Sequence, residues 1–375
     1  MATQTKVPVR SGKIGAIEIA RGVAALSVAL HHADTTVAWG INYKAPAEIT
    51  SLGLAALESV FHEALSFGFL GVQLFFVLSG FCIHLAHKNE VPLRARSFAL
   101  RRFFRLYPVY LVICVLAFAG HLVTRDGFLG PQPLQNFIGH LFFWHYADGG
   151  ANAGMGASPV FWTLTLEVSF YVIYLFLAGY IRKFGIGRFV VIWLIVDAVY
   201  HFCYSGSSAS FFAAQRFPLT RFGEWLLGVM LAEDFAAGKG TRFDALAGAA
   251  LLGLGFFLNS ALSWDKYVSF DILGSMGFFF LLRSQLSSKG GMFEHSSLGE
   301  FFAWVGCISY SLYLIHPVVF SAFKALLRTV EAPYFRFGGF LVAIMAAICL
   351  AALSYRFFEE PFHRLGRRLA MRDAR

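Results

Sequence analysis

The chain has 375 residues, of which 57% are hydrophobic, 17% aromatic and only 14% charged. Soluble domains carry about a quarter charged residues. The composition therefore excludes a disordered chain, a coiled coil and a soluble nucleic-acid binder, and points to a protein whose solvent is mostly lipid. The formal net charge is +9, and its placement is more informative than its size.

The N-terminal stretch MATQTKVPVRSGKIG is polar and basic and lacks a small-residue cleavage site. Residues 1–13 therefore read as a cytoplasmic tail and not as a cleaved signal. Apolar segments follow near Ile14–Trp39, Phe69–Leu85, Leu106–Val123, Phe161–Ile181, Phe189–Tyr204, Leu219–Phe235, Ala245–Leu262, Val268–Leu282, Phe301–Phe323 and Phe337–Phe357. A helix needs about 20 apolar residues to cross a bilayer. The pattern predicts an all-α, polytopic membrane helix bundle of about ten transmembrane helices over residues 14–358, followed by a basic tail at 359–375. Phe137–Tyr146 is too short to span and reads as interfacial. Leu52–Leu65 carries Glu58, His62 and Glu63 and reads as lying outside the membrane or at its surface.

Charge sets the orientation. Lys and Arg collect in alternate connections, at Arg94–Arg105, Arg182–Arg188, Lys239–Arg242 and Arg364–Arg375. The intervening connections carry few, among them Lys44, Arg125, Arg216 and Lys266. This positive-inside asymmetry places both termini in the cytoplasm and lowers the nucleic-acid reading of the net charge. The five cysteines, Cys82, Cys114, Cys203, Cys307 and Cys349, are odd in number and lack Cys-x-x-Cys spacing. They suggest neither a disulfide framework nor a metal site.

Ionisable residues inside spans are costly and are functional candidates by default. In the first segment Arg21 and His32 are eleven residues apart, three helical turns plus roughly 20°, so they share a face about 16 Å apart along the axis. Ala25 and Val28 lie between them, leaving that face narrow enough for a ligand or another helix. His31 points about 100° away and reads as a packing residue. In the second segment Gly68, Gly71 and Gly80 permit close helix approach, and Ser79 sits near mid-membrane. Arg101, Arg102 and Arg105 lie within one helical turn of one another. They suit either bidentate phosphate binding or a lipid-headgroup contact. In the fourth segment Thr163, Glu167 and Tyr171 form a polar stripe at i, i+4, i+8, just after Trp162. In the ninth, Ser309, Tyr313 and His316 share a face. Asp34, Asp197, Arg221, Glu224 and Asp271 are further polar residues near segment ends, with no assigned role.

The ordered set resembles the membrane acyltransferase 3 family, which includes bacterial O-antigen, exopolysaccharide and Nod-factor acetylases. The matching motifs are Arg21 through His32, GFLGVQLFFVLSGF at 68–81, RRFFRLYP at 101–108, WTLTLE at 162–167, SYSLYLIHP at 309–317 and FEEP at 358–361. They cover the chain from Glu18 to Pro361. Gln73 departs from the family, which commonly has Asp there. Since the chain ends soon after the tenth segment, it looks like a single-domain member.

The resemblance implies an integral-membrane O-acyltransferase in the bacterial inner membrane. It would move an acyl group, by default acetyl, from cytoplasmic acyl-CoA to a hydroxyl of an extracytoplasmic carbohydrate. No tightly bound cofactor is expected; acyl-CoA is a co-substrate, and membrane lipid and a carbohydrate or glycolipid acceptor are the partners. His32, Arg21 and Glu167 are the expected catalytic set, with His32 as general base or transient acyl carrier. Arg101, Arg102, Arg105 and Ser79 would bind the donor, and Trp162, Tyr171, Tyr313 and His316 would bind or orient the acceptor. The competing class is a multi-pass transporter or flippase for a glycan or small solute. It predicts an internal repeat, and none is evident.

Overall fold

The computed structural model describes residues 13–38, 62–90, 92–124, 133–143, 160–204, 217–262, 266–287, 296–327 and 333–373, and these residues are helical with no strand among them. The helices are α1 (Lys13–Ala33), α2 (Leu70–His87), α3 (Ala95–Thr124), α4 (Pro133–Leu141), α5 (Phe161–Phe184), α6 (Ile186–Tyr204), α7 (Pro218–Ala236), α8 (Phe243–Leu262), α9 (Lys266–Ser287), α10 (Ser297–Cys307), α11 (Ser309–Leu326), α12 (Pro333–Ser354) and α13 (Glu360–Asp373).

The described residues of the ten apolar segments are helical, and one of the segments, Phe301–Phe323, is divided between α10 and α11. Among the described residues, five helices are long and apolar enough to cross a bilayer: His62–His87, Ala95–Ala119, Phe161–Phe184, Phe243–Leu262 and Gly338–Asp373. The pair α10 and α11, bent by 77° at Ile308, makes a sixth if taken as one broken span. Crossing is therefore supported for five or six helices and not for all ten. α1 carries Glu18 and Arg21, α7 carries Arg221, Glu224, Glu233 and Asp234, and α9 carries Asp271 and Arg283. Of these, Arg221, Glu224, Asp234 and Asp271 are buried inside the bundle and the others partly so, and mean hydropathy understates helices of this kind. The expected surface segment Leu52–Leu65 lies mostly outside the described residues; from His62 the chain is already helical and continues into α2. The interfacial run is α4 and a turn ending at Phe143; 144–146 lie outside the described residues.

α7 lies at the centre of the bundle, with Trp225, Glu224 and Val229 fully buried. It crosses α2 backbone to backbone: a Cβ on Gly80 would overlap the Trp225 carbonyl, and one on Gly228 would overlap the Val77 carbonyl. The same device joins α1 to α10, where Gly22 meets the Phe302 carbonyl and Gly306 the Glu18 carbonyl. Small residues are the means by which helices approach closely where lipid supplies no hydrophobic drive between them. α8 packs peripherally on α9. α13 continues from α12 through a π-helical turn, Tyr355–Glu359, and lies along the start of α3.

Candidate active site

α1, α2, α3, α5, α11 and α13 enclose a cavity of about 240 Å³. α5 gives it a direction. Thr163, Glu167 and Tyr171 all line it, and at 1.5 Å per residue they span about 12 Å along the helix axis. At the Tyr171 end stand Arg102 and Arg105 from α3, with His363 from α13. The Arg102 guanidinium lies 5.8 Å from the Tyr171 ring centre and 5.7 Å from that of Phe98. Neither Arg102 nor Arg105 makes a hydrogen bond or ion pair with a described residue, and Arg102 Nε is buried without an acceptor.

In the middle, Ser79 Oγ donates to Glu167 Oε1 at 3.1 Å, and the Tyr171 hydroxyl donates to the same oxygen. Trp225 Nε1 donates to Ser79 Oγ at 3.3 Å, fixing its rotamer. Arg21 enters at this level and donates to Ser309 Oγ at 3.3 Å. At the far end the Thr163 and Tyr313 hydroxyls are 2.8 Å apart, and Phe75 packs edge-on against Tyr313. Among the lining residues three guanidiniums face one carboxylate, Glu167. The charge of the lining suits an anion, with the guanidiniums of Arg102 and Arg105 at one end.

Beyond Tyr313 lies a histidine pair. The Tyr313 and His316 rings are 5.9 Å apart, and those of His316 and His32 are 5.1 Å apart. His316 Nε2 sits 3.2 Å from His32 Nδ1. Each Nδ1 also faces a carbonyl one turn back: Val28 for His32 at 3.0 Å, and Leu312 for His316 at 2.9 Å. A carbonyl only accepts, so each neutral imidazole places its proton on Nδ1. His316 Nε2 then accepts from His32 Nδ1–H, and His32 keeps its Nε2 lone pair for another group. His316 is fully buried, whereas His32 is partly accessible. The narrow face of α1 between Arg21 and His32 is covered by α11, which supplies the partner at both ends, Ser309 and His316.

The structure thus brings most of the expected residues to one channel. Arg21, Ser79, Arg102, Arg105, Glu167, Tyr171 and Tyr313 line the cavity, and His32 with His316 stands just past it. Glu167 is grouped with Ser79 and Tyr171, not with His32. Arg101 turns away from the cavity: it pairs with Glu90 Oε2 at 3.6 Å and meets His87 Nε2 at 3.0 Å. Trp162 packs on the apolar core and does not line the cavity. His31 faces the Leu65 carbonyl at 3.1 Å, a packing role.

Three contributions were not read from the sequence. His363 reaches the cavity only because α13 folds back on α3, and no periodicity signals that. Glu359 is buried and accepts from Ser311 N at 3.2 Å and Ser311 Oγ at 2.8 Å, tying the π-helical turn to α11. Arg221, left unassigned, pairs with Asp271 and with Glu224 at 3.1 Å; Gln73 Nε2 donates to Asp271 at 3.2 Å. The residue that departs from the family pattern therefore belongs to this second, paired cluster and not to the cavity.

The fold and the site define a multi-pass helical membrane protein with an arginine-lined cavity near a histidine pair. The family model for the acyltransferase domain matches residues 14–356, and the chain belongs to that acyltransferase family. It is 26% identical to a provisionally named O-acetyltransferase of Staphylococcus aureus strain COL, over 80% of this chain and 53% of that protein. It is 25% identical to the provisionally named membrane-bound transacylase BcsY of Komagataeibacter xylinus, over 70% of each. It is also 25% identical to the peptidoglycan O-acetyltransferase OatA of Listeria monocytogenes, over 80% of this chain and 52% of OatA. The chain spans about half the length of the Staphylococcus and Listeria relatives. No solved structure matches.

Proposed function

We propose that the protein is an integral-membrane O-acyltransferase that moves an acyl group, by default acetyl, from acyl-CoA to a hydroxyl of a carbohydrate. The observation that carries this reading is the cavity, with two guanidiniums at one end that make no ion pair with a described residue and a histidine lone pair beyond the other. Names of relatives that include O-acetyltransferase and transacylase agree with it. The alternation of charge along the sequence supports a cytoplasmic arginine end and an extracytoplasmic histidine end, in a bacterial inner membrane. Acyl-CoA is then a co-substrate entering from the cytoplasm, and the glycan acceptor approaches from outside.

In this reading Arg102 and Arg105 hold the anionic part of the donor near the mouth. The thioester arm passes Glu167, Ser79 and Arg21 toward Tyr313. His32 Nε2 takes the proton of the acceptor hydroxyl as its oxygen attacks the thioester carbonyl. The C–S bond breaks, the sulfur leaves with the electron pair, and the proton on His32 passes to it. His316 Nε2, accepting from His32 Nδ1–H, holds the ring in register and stabilises the imidazolium while it exists, the role an orienting partner plays in a catalytic triad.

His32→Ala, purified in membrane-mimetic form with the wild-type melting temperature, is expected to lose about 100- to 10,000-fold in acyl transfer. The assay is release of CoA thiol from acetyl-CoA together with mass spectrometry of the glycan. A variant that keeps wild-type turnover sinks the assignment to His32. A wild-type protein that neither binds nor turns over acetyl-CoA sinks the donor.

A further inference from the structure

The cavity is too small for a whole nucleotide thioester. Its volume, about 240 Å³, is below the range of about 300–1,000 Å³ typical of sites for drug-sized ligands, and a nucleotide thioester exceeds such ligands. On the acyl-CoA reading the acyl end would occupy it, and the phosphates would lie outside, beside Arg102 and Arg105. The third arginine of the RRFFR motif does not serve there, because Arg101 is held by Glu90 and His87.

α13 is docked at that end of the cavity. Gly366 packs against Phe104 and the Leu100 carbonyl, with no room for a Cβ. Ser97 Oγ donates to the Ala370 carbonyl at 3.3 Å, and Arg96 pairs with Asp373 at 3.1 Å. The docking carries His363 into the cavity lining. Arg367 lies one turn further on, about 40° from His363 around the helix. It is exposed and makes no ion pair or hydrogen bond with a described residue. The charges of Arg105, Arg367, Arg102 and Arg21 all bear on His363. Arg364 is about 100° from His363, and Arg368 about 140°; Arg364 is already paired with Glu360 at 2.5 Å.

We propose that α13 completes the donor site: Arg367, beside His363 at the cavity mouth, binds the nucleotide phosphates of the CoA thioester whose acyl end occupies the cavity. This rests on the acyl-CoA reading above. A guanidinium without a carboxylate partner is suited to bidentate phosphate contact. An anionic lipid headgroup presents the same phosphate chemistry, so the test separates the two sources.

Arg367→Glu and Arg368→Glu make the same charge change, one beside His363 and one on the outward face. Both are assayed in nanodiscs of phosphatidylcholine, with and without phosphatidylglycerol, using acetyl-CoA and S-acetylpantetheine, which lacks the nucleotide. Expected is a tenfold or greater rise in KM for acetyl-CoA in Arg367→Glu, in both lipids. KM for S-acetylpantetheine stays within twofold, as do both constants in Arg368→Glu. Adenosine 3′,5′-bisphosphate then inhibits the wild type at least tenfold better than Arg367→Glu. Equal changes for the two donors, or equal effects of the two variants, overturn the proposal. An effect confined to phosphatidylglycerol nanodiscs assigns the phosphate to lipid and overturns the nucleotide assignment. A wild-type protein inactive with both thioesters overturns the donor reading and this proposal together, whereas failure of the variant contrast alone removes only the role of α13.

Discussion

Two buried clusters of charge lie in the bundle, and they are built oppositely. Around Arg221 there is pairing: Asp271 and Glu224 face the guanidinium, Gln73 bonds Asp271, and Ser275 Oγ donates to the Asp271 carbonyl at 2.5 Å. Arg221 also lies 5.8 Å from the Phe76 ring centre. Arg221, Glu224 and Asp271 do not line the cavity beside Arg102 and Arg105. Around Arg102 and Arg105 there is space: two guanidiniums without an acceptor among the described residues, an adjoining cavity and one lining carboxylate already held by Ser79 and Tyr171. A buried charge is costly unless paired. The first cluster meets that cost in part within the protein, through the Arg221–Asp271 pair that joins α7 to α9, although Arg221 Nε and both Glu224 carboxyl oxygens are buried without a hydrogen-bond partner among the described residues. In the second, Glu359 and Glu167 compensate from a distance without an ion pair to either arginine, an arrangement that a ligand of opposite sign would complete. Inside a membrane bundle, then, an ionisable residue alone does not mark a site. An ionisable residue without a partner, beside a cavity, does.

The contrast predicts opposite phenotypes. Arg221→Met removes the guanidinium and leaves Asp271 and Glu224 buried without it. Breaking a buried pair in this way costs about 3–5 kcal/mol. The expected result is a large drop in melting temperature or loss of inserted protein, with activity falling only in proportion to the folded fraction. A variant that keeps its melting temperature but loses donor affinity would break the division between the clusters.

Arg105→Met is the complement. It breaks no hydrogen bond or ion pair with a described residue but withdraws the nearest compensating charge from buried Glu359, so its melting temperature is expected to fall, by less than that of Arg221→Met. What it removes is a charge-assisted contact to the donor, worth roughly 1.5–3 kcal/mol. That corresponds to a rise in donor KM of roughly tenfold or more, read from acetyl-CoA titration. Unchanged KM would remove Arg105 from the donor site.

The same contrast explains what was legible in the sequence. The Arg21–His32 spacing, the Thr163–Glu167–Tyr171 stripe and the Ser309–Tyr313–His316 face are periodic within single helices, and helical geometry alone places each set on one side. The structure turns all three sets toward one channel. Pairing between helices left no such trace. Arg101, Arg102 and Arg105 look equivalent in sequence, yet one turns to Glu90 and two to the cavity, a choice made by how α2 and α3 pack. Gln73 and Asp271 are 198 residues apart and meet only through the approach of α2 to α9. The count of crossings suffered similarly: hydropathy reads lipid-facing helices well and interior charged helices such as α7 poorly. His363 was hidden for a third reason, since its place depends on a terminal helix folding back along α3.

Arg101 gives the smallest and most discriminating effect. It belongs by sequence to the motif of Arg102 and Arg105 and by contacts to the paired class. Its ion pair with Glu90 is partly exposed, with both side chains 26% accessible. Pairs of that kind contribute about 0–1 kcal/mol. Arg101→Ala is therefore expected to lower stability by less than about 1 kcal/mol and to leave the acetyl-CoA KM within twofold of wild type. If Arg101→Ala instead raises that KM as far as Arg105→Met does, membership of the motif outweighs pairing. The donor would then have to reach past the cavity rim to the Glu90–His87 surface. If it does not, three arginines within five residues divide into one that fastens helices and two that are left for a ligand, and the difference between them is an ion pair to a carboxylate among the described residues.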